Sequence, residues 1–80
     1  MTIFQDKWRG YDVVCRHPDN SPNEMACELK KRVGEEVMMG KVTLGWDSSG
    51  APEVLNFEGN PKVVDECTEY AMKKVNVRMK

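Results

Sequence analysis

Long apolar runs, phosphate-binding glycine loops and cysteine knuckles are all missing from this 80-residue chain. No stretch approaches the roughly 20 apolar residues of a membrane-spanning helix. The opening MTIFQDKWRG has no basic segment followed by an apolar one, so it does not read as a secretory signal. Gly34, Gly40, Gly45, Gly50 and Gly59 fit neither GxGxxG nor GxxxxGK[ST], which removes the common nucleotide loops. Charge of one sign is missing too: 12 basic against 13 acidic residues leave a formal −1, with no global field to draw the chain onto nucleic acid.

His17 is the single histidine, and Cys15, Cys27 and Cys67 are odd in number. An odd count argues against a disulfide-stapled secreted domain and for a reducing, cytoplasmic setting. Cys15, His17, Cys27 and Cys67 are ligand types that zinc accepts, but no CxxC pair joins them and no metal or cofactor is expected. Cys15 and Cys67 read instead as small core residues, with Cys27 on a helix flank. A Cys15–His17 or Cys27–His17 dyad has no orienting third group, and Asp47-Ser48-Ser49-Gly50 is not the GxSxG elbow of a hydrolase. The chain reads as a non-enzyme.

What is present is organised around Lys41–Glu58. Val42, Leu44 and Trp46 alternate with Lys41, Thr43 and Gly45 as in a half-buried strand. Asp47–Gly50 supplies turn chemistry, and Pro52 suits a strand start. Setting Trp46 against Glu53, Leu44 against Leu55 and Val42 against Phe57 also pairs Lys41 with Glu58 and Thr43 with Asn56. Upstream, Trp8–Arg16 reads as a strand with Tyr11, Val13 and Cys15 on one side and Asp12, Val14 and Arg16 on the other. Gly10 marks a bulge or the start of pairing, and Met1–Lys7 reads as an extended lead-in.

Two helices are expected. Ser21 can cap, Pro22 suits the first turn and Glu24 completes a capping box, so the first helix should run from Pro22 to Met38 or Met39 and stop at Gly40. Ala26, Leu29, Val33 and Val37 would form its buried stripe. Asn60-Pro61 starts a second helix reaching Val75 or beyond, with Val64, Cys67, Ala71 and Val75 on one face. Their small side chains would let it lie close to a sheet. The order is then β-α-β-β-α: one α+β domain over residues 1–80, with a three-stranded antiparallel sheet and both helices on one face.

Such a sheet exposes a face carrying Arg16, Lys41, Thr43, Asn56 and Glu58, which Trp8 would join, and these six are the candidate partner-binding residues. Two sheet edges and surplus aromatics and methionines also suit protein contact, including a homodimer. The expected role is a non-catalytic inhibitor or adaptor that occludes or bridges a partner protein. Its size class is that of small phage and mobile-element proteins such as anti-CRISPRs. The alternative is an RNA- or DNA-binding module using Lys73, Lys74, Arg78 and Lys80, with Lys30-Lys31-Arg32 as a second basic cluster. Against it, the open face lacks the stacking aromatics of single-strand binders.

Overall fold

In the computed structural model, the backbone is described for residues 2–18 and 23–79 and the side chains for 5–18 and 23–75. Five strands precede one helix: β1 (Thr2–Trp8), β2 (Tyr11–Arg16), β3 (Met25–Val33), β4 (Glu36–Trp46), β5 (Pro52–Gly59) and α1 (Pro61–Met79). The strands form one antiparallel sheet in the order β1-β2-β3-β4-β5, each beside its sequence neighbour. The three-stranded sheet with two helices is therefore wrong. Among the described residues there is one helix, and the segment expected to be the first is a β-hairpin.

The hairpin has a physical cause. Met25, Cys27 and Leu29 alternate with Ala26, Glu28 and Lys30, a period of two that competes with the helical stripe through Ala26, Leu29 and Val33. Gly34 takes φ 64° as the first residue of a two-residue turn between Val33 and Glu36. A helix would have carried that glycine at a cost of about 1 kcal/mol. Pairing on both sides, with β2 and β4, outweighs the good helix propensity of the Glu, Lys and Met residues. The capping role given to Ser21 and Pro22 falls on residues outside those described.

The first hairpin was hidden for a different reason. Arg9 and Gly10 both take positive φ, 53° and 83°, and close a two-residue turn between Trp8 and Tyr11. Gly10 is thus a turn residue, and the expected lead-in is a full strand. Arginine at the first of these positions is unusual, since asparagine or glycine is favoured there. Its guanidinium lies 4.3 Å from the Trp8 ring centroid and 2.8 Å from Glu69 on α1. That contact ties the turn to the helix.

α1 starts as expected. Asn60 Oδ1 accepts from the Lys62 amide at 2.9 Å and its carbonyl from the Val64 amide at 2.8 Å. Val63, Val64, Cys67, Tyr70, Ala71 and Val75 are buried against Tyr11, Val13, Cys15, Met25, Cys27, Leu29, Val42 and Leu44. Gly40 is not a helix stop. It lies in β4 beneath α1, where a Cβ would come 2.8 Å from the Val64 amide nitrogen. Cys15 and Cys27 face each other across the β2–β3 ladder, fully buried and joined by a disulfide; Cys15 and Cys67 are core residues as expected, whereas Cys27 lies in the same core on β3 and not on a helix flank. An odd count leaves one thiol over, Cys67, without preventing the other two from pairing.

The β4–β5 register holds for Lys41–Glu58, Val42–Phe57 and Thr43–Asn56. It then slips by one residue at a bulge, so Leu44 faces Val54, Gly45 faces Glu53 and Trp46 faces Pro52. Leu55 is the extra residue. Its side chain packs over Gly45, where a Cβ would meet Leu55 Cδ1 at 2.7 Å. Leu55 therefore lies on the open face, while Trp46 keeps the strand parity of Val42 and Leu44 on the helix side.

Candidate functional site

Strand pairing sets the open face out in rows. Arg16, Ala26, Thr43 and Asn56 form one continuous row across β2, β3, β4 and β5. The next row is Val14, Glu28, Lys41 and Glu58. Ala26 and Thr43 are short beside Arg16, Lys41 and Leu55, so the middle of the first row sinks into a cleft of about 380 Å³. Arg16, His17, Pro18, Glu24, Lys41, Leu55 and Asn56 complete its walls.

Five of the six residues singled out from sequence thus share one face: Arg16, Lys41, Thr43, Asn56 and Glu58. Trp8 does not join them. It pairs with Tyr11 on the helix-covered side and packs 5.3 Å from Tyr70, ring centroid to centroid, so the sheet separates it from the rest. Ala26, Leu55, His17 and Glu24 belong to the cleft and were not among the candidates. Ala26 was assigned to a helix, and the bulge that turns Leu55 outward has no signature in the residues themselves. The alternation around Ala26 was readable.

Bonding in the cleft leaves donors and acceptors without partners, the Glu24 carboxylate among them. Asn56 Oδ1 accepts the Phe57 amide at 2.8 Å, which leaves the Nδ2 hydrogens for another partner. His17 Nδ1 donates to the Glu24 carbonyl at 3.0 Å. Lys41 lies 3.9 Å from Glu58, a loose pair with both groups substantially exposed. Arg16 is exposed and has no carboxylate within ion-pair distance among the described residues.

The other candidate chemistries find less. Cys15 is bonded to Cys27 and offers no thiolate to His17. Cys67 donates its Sγ–H to the Cys27 carbonyl at 3.2 Å, and burial pushes its pKa from 9.0 to about 11, which keeps it protonated. No three His, Cys, Asp or Glu side chains gather to hold a metal among the described residues. Lys30-Lys31-Arg32 splits between faces. Lys30 and Arg32 have open-face parity, while Lys31 lies over the Tyr11 ring at 5.0 Å. Of the C-terminal cluster, Lys73 is exposed and Lys74 reaches Asp6 at 3.8 Å. The Arg78 side chain and Lys80 lie outside the described residues. Among the described residues no helix is long and apolar enough to cross a membrane.

Both sheet edges are partly closed. On β1 the Lys7 amide is taken by Asp6 Oδ1 at 2.8 Å, as the Phe57 amide on β5 is taken by Asn56. Each edge thereby loses a backbone donor that an added strand would need. No protein-family profile, curated protein or solved structure matches this chain.

Proposed function

We propose that the chain is a non-catalytic protein-binding domain that occludes or bridges a partner through the open face of its sheet. The observation that carries this reading is the Arg16–Ala26–Thr43–Asn56 row, which lines a cleft uncovered by any described element. Charged and hydrogen-bonding groups lie beside the exposed Leu55 there, a mixture suited to a protein surface. The face is a better candidate than the edges, because Asp6 and Asn56 block edge amides. It is also a better candidate than a phosphate-binding surface, because carboxylates are interspersed with its cations. An inhibitor or adaptor of the kind that phages and mobile elements encode would work in this way, by covering another protein's surface.

Capture from nuclease-treated and untreated host lysate tests the reading, with the wild-type chain beside the Arg16→Glu, Lys41→Glu double variant. The expected result is a protein retained after nuclease treatment by the wild type and lost by the variant. Lys41→Glu sets a third carboxylate between Glu28 and Glu58, so the variant's unfolding midpoint is measured beside its binding, and loss of capture by a variant that is still folded assigns the effect to the face. A nuclease-sensitive complex, or a protein retained equally by both chains, overturns it.

A further inference from the structure

We infer that the open face also pairs with a second copy of this chain, strand over strand and antiparallel, about a two-fold axis along the Val14–Glu28–Lys41–Glu58 row. The inference rests on the reading of the open face as the binding surface and says what occupies that surface when another partner is absent.

The register makes the face complementary to itself. Turning a copy over about that row keeps each strand above its equivalent and exchanges the two ends of the sheet. On β2, Arg16 and Asp12 flank Val14 equally, so Arg16 of one copy lies over Asp12 of the other. On the β3 column, Arg32 and Glu24 flank Glu28 equally, so these two also face each other across the pair. On β4, the exposed Val37 and Met39 meet the end where the Leu55 side chain covers Gly45. Opposite charges and apolar groups therefore meet at both ends. Within one chain Arg32 and Glu24 stand about 26 Å apart along the strand, and neither has an ion pair among the described residues.

The axis row alternates in sign. Lys41 stands between Glu28 and Glu58, so each lysine bends toward a facing carboxylate one strand away, about 4.8 Å, and not toward the other lysine. Asp12 has only a 3.5 Å contact to Lys7, with both side chains largely in water, which leaves it open to the facing Arg16. Glu36 lies opposite Val33 with helix-side parity, and Glu53 lies at the β5 margin beyond the facing cations. The area fits a weak pair. Four strands over the length of β3 cover about 19 by 30 Å, roughly 1,100 Å² over both copies, near the lower limit for a specific contact. Such a pair dissociates on dilution and leaves the face to another protein at low concentration.

The test is sedimentation of the full chain from micromolar to millimolar concentration, with amide NMR spectra recorded across the same dilution. A reversible monomer–dimer equilibrium is expected, with concentration-dependent shifts at Val14, Met39 and Leu55 and none at Trp46. Arg32→Glu and Glu24→Arg should each weaken association at least about tenfold while their spectra stay folded, since each change reverses both symmetry-related contacts. An equimolar mixture of these two variants should recover the wild-type association, because each altered end again faces an opposite charge. A chain that stays monomeric at millimolar concentration, shifts confined to the helix side, or a mixture no tighter than its components overturns the inference. If the chain stays monomeric but partner capture depends on the open face, the second copy is wrong and the surface stands. If capture ignores that face, the surface reading fails on its own evidence.

Discussion

A Cβ on Gly40 would lie 2.8 Å from the amide nitrogen of Val64 and 2.9 Å from the carbonyl carbon of Val63, so α1 begins directly on the bare backbone of β4. Gly45, five residues along the same strand, is also crowded, but by the end of the Leu55 side chain. The two glycines therefore separate a backbone clash from a side-chain one. Gly40→Ala should cost about 1–3 kcal/mol as an overpacked core site, because neither backbone can move without lifting the helix. Gly45→Ala should cost less than about 1 kcal/mol, since Leu55 can turn aside. Urea unfolding of both variants checks this, and equal losses would contradict the packing described.

Cys15 and Cys27 should be found oxidised. Alkylation of the unfolded, unreduced chain is expected to modify one cysteine, Cys67, and alkylation after reduction all three. Replacing both paired cysteines with alanine should lower stability by about 2–4 kcal/mol, the usual range for a disulfide closing a short loop. Three modified cysteines before reduction would remove the disulfide from the account.

Alkaline pH should loosen the fold before moderate acid does. Burial raises the pKa of Cys67 from 9.0 to about 11, and burial followed by the hydrogen bond to Asp6 raises that of Tyr70. Tyr11 is raised as well, by burial and then by Glu66. A group whose folded pKa exceeds its unfolded value contributes fully below the unfolded value and loses that contribution as pH climbs through the folded one. Stability should therefore fall from about pH 9 upward, and Cys67→Ala should flatten part of the decline. Denaturation midpoints measured across that range decide it.

Asp6 titrates in the opposite sense. Its pKa is lowered from 3.8, first by the Lys7 amide and then by the Tyr70 hydroxyl at 2.9 Å. Its contribution is present above the unfolded value and disappears as pH falls through the folded one. Tyr70→Phe should move the Asp6 pKa upward in a carboxyl-detected NMR titration. An unchanged value would mean that the hydroxyl contact is absent in solution.

How much of this was legible in the sequence varies with the range of the signal. Asn60-Pro61 marked the start of α1, and Asp47–Gly50 marked the β4–β5 turn: Asp47 Oδ1 accepts from the Ser49 and Ala51 amides, and Gly50 takes φ 85°. Both signals are local and survived folding. Residues 25–33 carried two periods at once, and partner strands outside the segment decided between them. The face assignments of Arg16, Lys41, Thr43, Asn56 and Glu58 follow from strand alternation, so they agree with the observed rows although the topology was wrong. Trp8 was misplaced because the Arg9-Gly10 turn was not recognised, and Leu55 because a bulge shifts parity without changing composition.

The most direct test of the account is hydroxyl-radical footprinting of the chain bound to the protein it captures. Leu55 and Met39, both exposed and with open-face positions, should be protected on binding, while Trp46 and Trp8 on the opposite side keep the reactivity they have in the free chain. Protection of Trp46 and Trp8, with Leu55 and Met39 unchanged, would place the partner on the helix side and contradict the account.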